Sequence, residues 1–185
     1  MINFNKKQIR AILKLLESSI KESSRPIEYS KIYLKSDENN LLSCYITNSF
    51  LVIKINVINN NKIAKKFNNT SISYEDLKVW LKNNTPYNPM DFTDLEKLIK
   101  KDSGIIAEKL QMIISRDNTN EQKSLYKTKF NMDYLFMIST ITKIKSICFN
   151  FINDQVTNQY FISIKDEIRN FEAMLCPICI YESEE

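Results

Sequence analysis

The residues best suited to chemistry by type and spacing form two groups. The first is Cys176-Pro177-Ile178-Cys179, a CxxC pair of the kind found in structural zinc sites and dithiol redox centres. Structural zinc needs four ligands, and the chain has no histidine; its other cysteines, Cys44 and Cys148, stand singly within predicted strands. A redox dithiol should precede a helix, whose N-terminus lowers the thiol pKa, whereas an apolar strand-like run surrounds this pair. The expectation is therefore no metal and no cofactor. The missing histidine also removes the commonest general base and every Ser-His or Cys-His nucleophile. Glu75-Asp76 and Asp166-Glu167 are neighbours in sequence, which does not converge two carboxylates on one point. With Gly104 as the only glycine, glycine-rich phosphate loops are excluded too. A non-catalytic protein is the expectation.

The second group is cationic. Lys7, Arg10, Lys14 and Lys21 recur at helical spacing, opposite the apolar positions Ile9, Ile12, Leu13, Leu16 and Ile20, with Glu17 at the stripe's edge. Such a stripe suits sequence-independent contact with DNA phosphates, and the alternative is a solvated face in a lysine-rich protein. A net charge of +4 is only mildly basic, so any attraction for nucleic acid must come from a local patch of this kind. Lys143 and Lys145 could extend it.

The elements that must hold these groups are legible as an alternation of periods. Phe4-Asn5 opens a helix over 6–22, which Ser23-Ser24-Arg25-Pro26 ends. Strands are predicted over 29–35, 41–47 and 50–57, the last with Leu51, Ile53, Ile55 and Val57 on one face, and a further short one within 63–72. An antiparallel meander follows from the alternation. Ser73 caps a helix over 74–83, whose Trp80, Leu77 and Leu81 read as core. Thr85 to Pro89 is a break, and Thr93 with Glu96 reads as the capping box of a charged helix carrying Lys97, Lys100 and Lys101. Asp102-Ser103-Gly104 interrupts or ends that helix. Residues 105–114 are ambiguous between helix and strand, 117–123 read as a loop, and 124–130 as a strand. Phe130-Asn131 opens a helix over 132–143, apolar nearly all round and expected to be largely buried. Strands near 146–152, 158–164 and 172–180 follow, before an acidic end. Asparagines at 39–40, 59–61, 68–69, 118 and 120 are expected to do the turn work that glycine usually does.

Hydrophobic residues at 43% and charged residues at 26% suit a globular chain able to bury a core, and argue against wholesale disorder. No apolar run reaches the roughly 18 residues of a bilayer span. The N-terminus is too interrupted by Lys6, Lys7, Arg10 and Lys14 for a signal peptide. A cytoplasmic protein with reduced cysteines and no membrane contact is expected.

The recurrence of Phe-Asn, helix, then strands resembles the bacterial DNA polymerase sliding clamp, the beta subunit of the replicative polymerase. Arg25-Pro26-Ile27 with Ile32-Tyr33-Leu34-Lys35 is similar to the segment after the first family helix, and Thr47-Asn48 before Phe50 to Ile55 resembles the family's turn into its next strand. Phe130-Asn131-Met132-Asp133-Tyr134-Leu135 looks like the family's second helix start. Ala173 to Ile178 resembles its terminal strand, with Cys179 where the family has a basic residue. The resemblance implies an α+β, DNA-clamp-like (processivity) fold: antiparallel sheets with two packed helices, here with a mainly helical insertion. Residues 1–72 and 129–182 would form one clamp-like domain and 73–128 the insertion. In a second alignment Ser71 to Leu77 is the second helix start, giving abbreviated domains at 1–88 and 89–182. The implied partners are double-stranded DNA and DNA polymerase or other clamp-binding proteins. DNA would lie on Lys7, Arg10, Lys14 and Lys21, and partner peptides at Met174, Cys176, Pro177 and Ile178. The alternative for the last four is an edge strand packing on its own core. A family chain carries three domains, so a ring would require several copies as a homo-oligomer. The other implied role is a protein-interaction module or decoy that never encircles DNA.

Overall fold

The computed structural model describes residues 4–21, 27–39, 41–59, 61–84, 89–114, 130–144, 150–154, 159–166 and 171–176. The first helix, α1 (Lys6–Lys21), begins where Asn5 and Gln8 bond reciprocally: Gln8 N donates to Asn5 Oδ1 and Asn5 N to Gln8 Oε1, both at 2.9 Å. This capping box satisfies two backbone donors at the helix start. A short 3₁₀ turn, Ile27–Ser30, leads into β1 (Lys31–Ser36), β2 (Leu41–Thr47) and β3 (Leu51–Asn59), paired as the expected antiparallel meander. The short strand expected within 63–72 is β4 (Thr70–Ser73), and a helix that was not foreseen, α2 (Asn61–Phe67), precedes it. Ala64 and Phe67 on α2 bury against the core at helical spacing, which strand pairing could not match.

Helix α3 (Tyr74–Asn83) has Ser73 as its N-cap, as read from the sequence. The next helix, α4 (Phe92–Leu98), departs from expectation. Its cap is Asp91, boxed with Asp94, rather than Thr93 with Glu96. It also stops at Leu98, and Lys100–Lys101 become a two-residue strand, β5, pairing with β4. The ambiguous stretch resolves as a helix, α5 (Ile105–Ile114). Helix α6 (Met132–Thr142) is capped by Asn131, whose side chain accepts from Asp133 N at 2.9 Å. Strands β6 (Asn150–Asp154), β7 (Gln159–Asp166) and β8 (Phe171–Leu175) complete the order. The readings over 85–88, 117–123 and 124–129 fall outside the described residues.

All eight strands form one antiparallel sheet in the order β5-β4-β1-β2-β3-β8-β7-β6. The fold is α+β, and its centre is the β3–β8 seam, where Leu51 faces Leu175 and Ile53 faces Ala173. On either side of that seam lies a helix followed by a three-stranded meander: α1 with β1 to β3, and α6 with β6 to β8. This is the pair of units that the two Phe-Asn starts announce. Both asparagines cap, and both phenylalanines pack inward, Phe4 buried and Phe130 partly so.

Strand alternation divides the core. Ile32, Leu34, Cys44, Ile46, Ile53, Ala173 and Leu175 point to the face covered by α1 and α6. Tyr33, Tyr45 and Val52 point the other way, against Ala107, Leu110 and Ile114 of α5. Each large aliphatic side chain buried from α1, such as Ile9, Ile12 and Leu16 at 0% exposure, contributes about 1.5–3 kcal/mol of transfer free energy. Asn69, with φ 53°, is the asparagine from the expected turn positions that adopts a left-handed backbone among the described residues. Ser49 (φ 77°) and Lys143 (φ 62°) also do so, unforeseen.

Candidate nucleic-acid interface

Helices α1 and α6 lie side by side and antiparallel. At one end Gln8 Nε2 donates to the Ile141 carbonyl at 2.6 Å. At the other, Asn48 Nδ2 donates to Ser18 Oγ at 2.8 Å and to Tyr134 Oη at 3.0 Å. Asn48 Oδ1 meanwhile accepts from Phe50 N at 3.2 Å and Leu51 N at 3.0 Å, closing the β2–β3 turn. Asn48 is 0% exposed, so one buried amide joins both helices to the sheet. Its donors and acceptors are all used, which is what makes a buried amide tolerable. Two polar cross-links so spaced fix the register of the pair, setting Lys14 about level with Phe136, Arg10 with Thr140 and Lys7 with Lys143.

The solvent side of α1 carries Lys7, Arg10 and Lys14, all exposed. None of the three is ion-paired among the described residues. Elsewhere Lys31, Lys35, Lys54 and Lys100 pair with Asp102, Glu108, Glu172 and Asp76 at 2.6–3.6 Å, and Lys66 pairs with Glu96. The fourth member, Lys21, ends α1, and its side chain lies outside the described residues. Ile20 departs from the reading of α1: it sits on the apolar face but is 46% exposed, because it overhangs the end of the packed region.

Neighbouring elements enlarge the surface. Helix α3 packs against α1, with Lys6 Nζ donating to the Asn84 carbonyl just past its end, and it exposes Lys78 and Lys82. The sequence signal for these two was a plain helical face, with nothing to say that it would lie beside α1. Lys143 is exposed at the C-terminus of α6, while Lys145 lies outside the described residues.

Helix α6 corrects an expectation. Met137, Ile138 and Ile141 are buried, but Met132 is 70% and Phe136 69% exposed. The helix has sheet and α1 on one side only, so its all-round apolarity leaves two large side chains facing water.

The proposed partner-binding strand falls differently from its edge-strand alternative. Strand β8 lies inside the sheet between β3 and β7, not at an edge. Met174 is 5% exposed, opposite Val52 on the α5 side. Cys176 is half-buried; its amide donates to the Phe50 carbonyl at 2.7 Å, so the end of β8 is tied to the turn that Asn48 closes. Pro177, Ile178 and Cys179 lie outside the described residues. Cys44 is buried, and burial pushes its thiol up to about 12. Among the described residues no group of three or more His, Cys, Asp or Glu could hold a metal ion, and no helix is long and apolar enough to cross a membrane.

No protein-family model matches the chain, and no curated protein matches it. Among solved structures it is similar to DNA polymerase III subunit beta from Borrelia burgdorferi, in complex with a natural product, at 11% identity and a TM-score of 0.47. The match covers 97% of this chain and 64% of that one, so the chain spans less than two thirds of the polymerase subunit's length.

Proposed function

We propose that this chain is a non-catalytic, sliding-clamp-like factor that contacts duplex DNA through the outer face of α1. The observation that carries this reading is the row Lys7, Arg10 and Lys14: exposed and, among the described residues, without an ion-pair partner, on a helix fixed rigidly to its neighbour. Cations in that state gain from meeting phosphates, because each contact releases counterions condensed on the DNA. The contact would be independent of sequence, since a row on one helix face meets backbone rather than base edges. Residues 1–72 with 129–182 form the clamp-like domain in this reading, and 73–128 the insertion, whose α5 packs on the opposite face of the sheet. Replication or repair proteins would dock where β8 ends, around half-buried Cys176 with Pro177 and Ile178, while Met174, buried in the sheet, would hold the strand in place. Encircling DNA would take several copies, in a cytoplasmic, reducing setting.

The test is binding of a fluorescent duplex at several salt concentrations, together with molecular mass in solution with and without DNA. The wild type should bind with a steep salt dependence that Arg10→Glu/Lys14→Glu flattens. Equal binding by that variant would sink the reading. A second reading, a protein-interaction module that never encircles DNA, is favoured by the exposed Met132 and Phe136. A protein that stays monomeric and ignores duplex DNA at low salt would select it.

A further inference from the structure

Under the DNA reading, the apolar side chains of α6 have a use that the basic row alone does not require. A helix that meets only duplex phosphates gains nothing from a phenylalanine and a methionine one turn apart, 69% and 70% exposed. Both lie on the same helical face as the half-buried Ser139 and Thr140 and lead towards the exposed Lys143. Exposed Asp133 stands beside Met132 at the start of that line, and no further charge follows before Lys143. Across the seam, about level with Phe136, stands Lys14, with Arg10 and Lys7 following along α1. The pair thus presents a cationic track beside an aromatic and thioether platform, and the cross-links at Gln8–Ile141 and Ser18–Asn48–Tyr134 hold the two at fixed spacing.

We propose that this face takes single-stranded DNA, its phosphates along Lys7, Arg10 and Lys14 and an unstacked base on Phe136, with Met132 flanking it. Charge selects the occupant: a polyanion fits a row that is unpaired among the described residues, and of the two forms of DNA only a single strand offers bare base faces to an apolar platform beside it. A duplex keeps its bases stacked and turns only phosphates and groove edges to a helix face. Because every base has a π-face, such a site tolerates any sequence, as the backbone contact also does. The inference rests on the reading of α1 as a phosphate-contacting helix, and adds that the bound DNA carries unpaired bases.

The experiment compares a fluorescent dT20 strand with a duplex of equal length, titrated with wild type, Phe136→Ala and Arg10→Glu/Lys14→Glu. Phe136→Ala should weaken the single strand about tenfold, the scale of losing one stacked base, and leave the duplex within about twofold. Phe136→Trp gives an independent readout: its exposed indole should be quenched by dT20, over the background of the buried Trp80. Phe136 makes no part of the core, so thermal melts of both variants should match the wild type. The inference is overturned if Phe136→Ala leaves the single strand unchanged, or weakens both forms alike, or if the introduced tryptophan is not quenched. It is equally overturned if Phe136→Ala instead abolishes binding to phosphatidylserine–phosphatidylcholine vesicles or lowers the mass in solution, which would assign the platform to a membrane or to a second copy. Duplex binding lost in Arg10→Glu/Lys14→Glu but indifferent to Phe136 keeps the proposed function and removes only the single-strand site. Single-strand binding with none to duplex does the reverse.

Discussion

Replacing Asn48 by alanine should cost about 3 kcal/mol, and the sum comes from what each of its partners loses. The side chain is 0% exposed and makes contacts of 2.8–3.2 Å to Ser18, Tyr134 and two turn amides. Leu51 is also buried, so its amide would be left without an acceptor at about 1–3 kcal/mol. Phe50 is 40% exposed, and water can take over its amide at little cost. Ser18 Oγ still donates to the Leu15 carbonyl at 2.7 Å and loses only an incoming bond, while Tyr134 loses its link to the sheet, together about 1 kcal/mol. In a chain of 185 residues, about 3 kcal/mol lowers the Tm by roughly 6–12 °C. The assay is urea and thermal unfolding of Asn48→Ala, Tyr134→Phe and the double variant. Tyr134→Phe alone should cost about 1 kcal/mol, and the double variant should cost less than the sum, with a coupling near 1 kcal/mol. A cost for Asn48→Ala below about 1 kcal/mol would refute the claim that this amide locks the helices to the sheet. Strict additivity with Tyr134→Phe would refute it as well.

Charge reversal in Arg10→Glu/Lys14→Glu should reduce the slope of log K against log salt by about 2, on the basis of about 0.9 per phosphate contact, with duplex affinity falling at low salt; an unchanged slope removes α1 from the interface. Gly104 sits at φ +76°, and a Cβ there would lie 2.4 Å from Asn69 Oδ1. Gly104→Ala should therefore destabilise by about 2 kcal/mol, about half from left-handed backbone strain, read by urea unfolding. In a Cys148→Ser/Cys179→Ser background, half-buried Cys176 should react with a thiol reagent at pH 8 while buried Cys44 stays protected until unfolding. Because the folded thiol of Cys44 is raised to about 12, its contribution is complete below the unfolded thiol's pKa near 8.5 and is lost as pH rises from there towards 12. Wild type should thus lose more stability between pH 8 and 10.5 than Cys44→Ala does, and parallel losses would contradict the burial argument.

Local code carried much of the fold. The Asn5 and Asn131 caps, the apolar face of α1, the Ser73 cap and the alternation of β1 to β3 are decided by residues within a turn or a strand of one another, so periodicity and capping chemistry expose them. The same rules misplaced features set by distant partners. Residues 61–67 became a helix because α2 has a core face to fill, and Lys100–Lys101 left α4 to pair with β4. The capping box belonged to Asp91 and Asp94, not to Thr93 and Glu96, a choice of frame that composition does not settle.

For the site, the sequence by itself determined the cationic row and the lack of histidine, since these follow from residue type and a helical repeat of 3.6. Only the tertiary structure decided that the row has no ion-pair partner among the described residues, because ion pairing depends on which carboxylates the fold brings within reach. It likewise decided that Phe136 and Met132 face water, since burial depends on what packs against a helix and not on the helix's own apolarity. The join at Asn48 belongs to the same class: residues 18, 48 and 134 meet only when a strand turn and two helices are assembled over one sheet.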